Sequence, residues 1–202
     1  MTKEQLFWDW FRTNEANFFF LNQITNINER ERILDDFLYH LHRYCDHLFF
    51  EIGGHPNDKQ DLIISADGNS DLFTKVESLV KHAPTLEYWN IIALKPPKGN
   101  FIIDYEGIKL DPNCIYFMPL SSKTSKKIGL RVYIQNYENA KKMDFLTGTY
   151  LLLDNLLGER SSALNIGHLE IQDLSIFPKK EDLIEFNKLP KYIKWKEANS
   201  NG

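Results

Sequence analysis

Residues 61–97, DLIISADGNSDLFTKVESLVKHAPTLEYWNIIALKPP, change conformational signal at every boundary, which restricts the fold more than any other stretch. Leu62, Ile63 and Ile64 form a short apolar run that stops at Asp67-Gly68, a pair suited to positive φ and therefore to a turn. Asn69 or Ser70 then offers a side-chain oxygen to the free amides of a new helix, and Asp71 adds negative charge at its positive end. Over 71–83, Leu72, Phe73, Val76, Leu79, Val80 and Ala83 recur at the three- and four-residue spacing of one buried stripe. Pro84 stops the helix. Tyr88 to Leu94 supplies a second strand, closed by Pro96-Pro97, which has no amide to donate to a ladder.

The second half repeats the order. Residues 114–120 and 129–137 read as strands around the connection SSKTSKK, 143–157 as a helix closed by Gly158, and 164–176 as a strand. In the first half, 48–54 leads by a Gly53-Gly54-His55-Pro56 hairpin loop into 61–68 ahead of its own helix. The pattern predicts an α+β fold with a mixed, mainly antiparallel sheet of about six to eight strands. Helices 71–83 and 143–157 are expected on one face of it, and the order leaves room for a two-fold ββαβ repeat of ferredoxin-like kind. Gly158 is expected to end its helix with a positive, left-handed φ.

Ahead of this lies a helical layer. Thr2-Lys3-Glu4-Gln5 fits a capping box, and Leu6, Phe7, Trp10 and Phe11 form the stripe of the helix it opens, with Trp8 on a flank. Residues 13–27 lean to helix. In 28–47 the core stripe is Ile33, Phe37, Leu41, Tyr44 and Leu48. His40, His42 and His47 invite a metal, and helix geometry answers it: His42 lies about 160° around from His40, while His47 is about 10 Å along the axis. Asp36 with His40, or His42 with Asp46, remains as a surface pair.

With 202 residues and 43% hydrophobic content, the chain suits one domain: a helical layer over 1–47, ββαβ halves over 48–97 and 101–176, and a tail over 178–202 that docks partly as a helix. Cys45 and Cys114 read as buried or half-buried thiols in a reducing cytoplasm, not as a disulfide. MTKEQLFWDWF has neither a basic start nor a clean apolar run, so no secretory signal is expected, and no window suits a membrane helix. A formal charge of −4 argues against a nucleic-acid partner.

No phosphate-cradling glycine pattern and no nucleophile elbow occurs, and no cofactor or metal site is expected. Glu51, Asp67, Asp154 and Glu159 lie near turn ends, where paired carboxylates are able to work as acid and base. Trp8-x-Trp10-Phe11, Ile64-Ser65-Ala66-Asp67-Gly68, Ala83-Pro84-x-Leu86-x-x-Trp89 and Leu153-Asp154-x-Leu156-Leu157-Gly158-Glu159 together resemble a family of uncharacterised bacterial proteins. The resemblance implies a bacterial cytoplasmic protein and carries over no catalytic residues.

The function these features favour is a non-enzymatic module, regulatory or immunity-like, that binds another protein. The rivals are a small hydrolase using Asp67, Glu159 or a histidine, and a small-ligand binder with aromatic walls such as Trp89 and Tyr133. Along 129–137, alternation turns Leu130, Val132 and Ile134 to the helices and Arg131, Tyr133 and Gln135 away, with Tyr116 and Met118 on one side of the neighbouring strand. That outward set is of the types enriched at interface cores, and it is the expected partner surface.

Overall fold

The computed structural model describes residues 1–54, 58–121, 125–176 and 182–199. His55 and Pro56 of the first hairpin loop, Ser122 to Thr124 of the Ser/Lys-rich connection and the start of the tail at Pro178 lie outside the described residues. The chain forms two compact units, Met1–Lys95 and Pro96–Gly202. The fold is α+β, with six helices and nine strands among the described residues.

In the first unit, α1 (Lys3–Phe19) and α2 (Ile27–Tyr44) precede β1 (Phe49–Gly53), β2 (Gln60–Ser65), α3 (Phe73–Lys81) and β3 (Trp89–Ala93). The capping box forms: Gln5 N–H donates to Thr2 Oγ1 at 3.2 Å, and Thr2 N–H to Gln5 Oε1 at 2.9 Å. Strand β2 is central, antiparallel to β1 and parallel to β3, so the chain must cross over between β2 and β3, and α3 is that crossover. Phe37 of α2 stacks on Phe50 at 4.0 Å, and Phe11 of α1 meets Trp89 edge-on at 5.3 Å. Phe50 and Trp89 share a sheet face with Leu62 and Ile64, which are fully buried.

The stripe of α1 is turned from its expected direction. Trp8, expected on a flank, is buried and its indole Nε1–H donates to Leu79 O at 2.8 Å, whereas Leu6 is 53% exposed. The cause is tertiary, since α1 must satisfy α3 as well as α2. Trp8→Phe keeps a ring but deletes the donor. Leu79 O keeps the His82 amide at 3.1 Å, so the expected cost is about 1–2 kcal/mol, read from the denaturant midpoint.

In the second unit, a hairpin of β4 (Ile103–Tyr105) and β5 (Ile108–Leu110) is followed by β6 (Tyr116–Leu120), β7 (Ile128–Ile134), α4 (Lys142–Leu157), α5 (Glu159–Asn165), β8 (Ile166–Asp173), β9 (Ile184–Glu185) and α6 (Leu189–Asn199). The larger sheet runs β8-β7-β6-β9, with β6 and β7 antiparallel and β7 and β8 parallel. Phe117, Leu130, Val132, Leu169 and Ile171 pack with Phe145, Leu152 and Leu153 of α4 and with Leu189 and Ile193 of α6. The tail therefore does dock as a helix, and Gly148 of α4 gives the hairpin close approach: a Cβ there would come within 2.7 Å of Leu110 Cδ1.

The strand–strand–helix–strand order thus occurs once in each unit, an antiparallel pair followed by a parallel strand. The strands do not share one sheet of six to eight, however; among the described residues they form three sheets of three, two and four. Helices α3 and α4 accordingly cross over different sheets, and the expectation of a common face lapses. Leu94 (φ 63) turns the chain out of β3 and Pro96-Pro97 denies further ladder amides, so pairing starts afresh beyond that point.

Candidate functional site

Strand β8, eight residues, is the longest among the described residues, and it stands at the edge of its sheet. Its inner edge pairs with β7 from Ile128 opposite Ile166 to Ile134 opposite Asp173, with one register shift near Ile128 and Gly129 that leaves 168–173 regular. Its outer edge has no strand beside it among the described residues. Such an edge is a row of amides and carbonyls ready to pair. Beside it lies a groove of about 650 Å³, walled by Tyr137, Asn139, Lys142 and Leu146 on one side and by residues of β8 with Ile176 on the other. Tyr137, Leu146, Leu169, Ile171 and Ile176 give it apolar surface, and Lys142, Glu170 and Asp173 are its charged groups.

The face expected to meet a partner is partly closed by the chain itself. Tyr133 is 2% exposed and packs with Leu174 and Leu183, with Tyr116 and Met118 half-buried against them. This burial removes its ring from an open surface. The guanidinium of Arg131 pairs through Nε with Glu170 Oε1, and its pKa is held above the ordinary value first by that hydrogen bond and then by Tyr133. Gln135 is exposed, just past the end of β7. Of the expected surface, Arg131 reaches the β8 edge through Glu170, and Tyr133 does not contribute.

No protein-family model, curated protein or solved structure matches this chain. The likeness of its tryptophan, ISADG and LDxLLGE segments to a family of uncharacterised bacterial proteins therefore has no family match beside it. Geometry alone carries the site.

The remaining candidates serve structure. Trp89 is 3% exposed, held by Phe11 and Phe19, and so is not a ligand wall; its Nε1 has no acceptor among the described residues. Lys95 gathers two of the expected carboxylates, Asp67 at 3.1 Å and Glu51 at 3.6 Å, while Asp67 itself forms the turn with φ 49. Glu159, the first residue of α5, is fully buried and lies in the other unit from Asp67. No group of three or more His, Cys, Asp or Glu able to hold a metal ion occurs among the described residues.

Histidines are equally scattered. His40 lies 3.8 Å from Asp36, as the spacing allowed, but its ring stacks on Trp10 at 4.0 Å, and burial depresses its pKa despite that carboxylate. His42 pairs with Leu48 O at 3.1 Å, not with Asp46. His168 sits 3.8 Å from Glu170 on β8. Cys45 and Cys114 are both free, and Cys114 is exposed instead of half-buried because it ends a turn, its Sγ 3.7 Å from Asp111 Oδ2. No helix among the described residues is long and apolar enough to cross a membrane.

Sequence reasoning did not single out Tyr137, Asn139, Lys142 or Leu146. They fall in and after a loop, and only the position of β8 at a sheet edge gives them a role. A run such as Ile166 to Asp173, half apolar and half polar with no proline, is the signal that an edge strand has been left pairable.

Proposed function

We propose that this protein is a binding module that takes up an extended segment of another protein as an added strand along the outer edge of β8. The observation that carries the proposal is the coincidence of the longest strand, its unpaired edge and the adjoining groove. In strand addition, main-chain hydrogen bonds supply affinity, and alternate side chains of the guest enter the groove and supply specificity. Natural edges are usually blunted by proline, inward charge or short length. Strand β8 has no proline, and its Glu170 is neutralised by Arg131. The same reading gives the module a non-catalytic role in a reducing cytoplasm, where Cys45 and Cys114 stay as thiols.

A peptide selected from a random library against the full chain provides the test. Its binding should slow amide exchange at alternate residues of β8, since successive strand amides point to opposite edges. Single proline substitutions at Leu169, Glu170, Ile171 and Gln172 should then split into two alternating classes. One pair loses an amide bonded to β7 and should destabilise by about 3 kcal/mol or more. The other pair should keep the fold and weaken the peptide at least about tenfold, which is ~1.4 kcal/mol of binding. Undiminished affinity in both fold-retaining variants would overturn the proposal, as would protection confined to some other strand.

A further inference from the structure

The first unit, which does not contain β8, has a cleft of its own. Helices α1 and α2 enclose a cleft of about 330 Å³ lined by Lys3, Leu6, Phe7, Trp10, His40, Arg43 and Tyr44. Its floor is apolar: Phe7 is buried, and the half-buried Trp10 is held flat against His40, ring planes 10° apart. Leu6 projects from the first turns of α1 and is more than half exposed, although its neighbours Phe7 and Trp8 are in the core. A leucine left out of the core beside a hollow has apolar surface to offer a ligand.

The rim is cationic. Lys3 stands at the first position of α1, and the Arg43 guanidinium lies 6.0 Å from the Tyr39 ring centroid. Neither pairs with a carboxylate among the described residues. Glu4, next to Lys3 in the chain, accepts from Ser78 Oγ at 3.1 Å, and Asp36 lies beside His40 at 3.8 Å. Unneutralised positive charge around an apolar floor complements a molecule with an apolar body and one negative end. The volume is at the small end of ligand pockets, which suits a single ring or a short chain and not a folded partner.

We infer that the α1–α2 cleft binds a small amphipathic carboxylate, its hydrocarbon body against Leu6, Phe7 and Trp10 and its carboxylate between Lys3 and Arg43. Octanoate is the probe, titrated into the full chain by calorimetry, with octan-1-ol as the neutral control of equal chain length. The expected result is saturable one-to-one binding of octanoate, with movement of the Trp10 indole resonance and none at Trp89. Octan-1-ol should bind at least tenfold more weakly. The double variant Lys3→Gln/Arg43→Gln, at two exposed positions, should keep the thermal midpoint and lose octanoate affinity by a similar factor. Leu6→Ser should weaken both probes. Equal affinity for octanoate and octan-1-ol, retention of affinity in the double variant, or absence of saturable binding would each overturn the inference. None of these outcomes touches strand addition at β8.

Discussion

Phe37→Ala should cost about 3–5 kcal/mol, the range for an aromatic ring removed from a packed core. Phe37 is completely buried, and its ring meets those of Phe7, Trp10, Phe11, Phe18 and Phe50 at 5.6, 5.8, 5.9, 5.2 and 4.0 Å. It joins α1, α2 and β1 at one point, so truncation opens a cavity whose walls belong to three different elements. Large rigid rings on helices and a sheet have little freedom to collapse into that space. Each edge-to-face ring pair adds about 0.5–1.5 kcal/mol beyond the buried area, and the truncation removes that as well. Tryptophan emission reads the result cleanly: Trp8, Trp10 and Trp89 all lie in the first unit, and Trp195 alone lies in the second. The emission midpoint should move to lower denaturant with an unchanged slope. A loss below about 1 kcal/mol, the size of an ordinary substitution, would mean that the cluster does not organise the unit.

Gly158→Ala should cost about 1–3 kcal/mol, and Gly158→Asn should do no better. This glycine ends α4 and begins α5 at once: its amide donates to Asp154 O at 2.8 Å, and its carbonyl accepts from Ser162 N–H at 3.0 Å. Its φ is positive, 76°, as a helix-closing glycine suggests, but its ψ of 155° lies far from the left-handed helical region. A side chain is excluded there more severely than in a simple helix cap, and asparagine, which tolerates the left-handed helical region, gains nothing. Comparison of the two variants by urea unfolding separates the cases. If Asn matched Gly while Ala did not, the junction would be an ordinary left-handed cap.

The features legible in the sequence are those whose physics closes within a few residues. Thr2 and Gln5 cap each other three positions apart, Asn69 Oδ1 accepts from the Asp71 amide at 3.1 Å, and the three- and four-residue rows of α2 and α3 bury Phe37, Leu41, Phe73, Val76 and Leu79. The β4–β5 hairpin escaped because three-residue strands are too short to show alternation. Its one local mark is Glu106-Gly107, with φ of 50° and 76°. Helix α5 escaped for a similar reason, since seven residues after a glycine carry no full stripe.

The candidate sites were less legible still. Alternation along β7 did separate Leu130 and Val132 from Arg131 and Tyr133, but it does not say whether an outward face stays open, and Leu174 with Leu183 closes it over Tyr133. Composition and periodicity are equally silent about Trp8, whose burial depends on Leu79 O, 71 positions away.

By itself, the sequence determined the longer helices, the principal strands, their order and most of the turn residues between them, because hydrogen bonds and side-chain rows within one or two turns select these locally. Only the tertiary structure decided that the strands close into three sheets, that β8 is left at an edge, and that Leu6 and Trp10 border a cleft. Those outcomes are choices among distant partners, in which several pairings satisfy the same local pattern. The one that prevails is the one that packs α1, α2 and α3 over the first sheet and buries the apolar face of the second under α4 and α6.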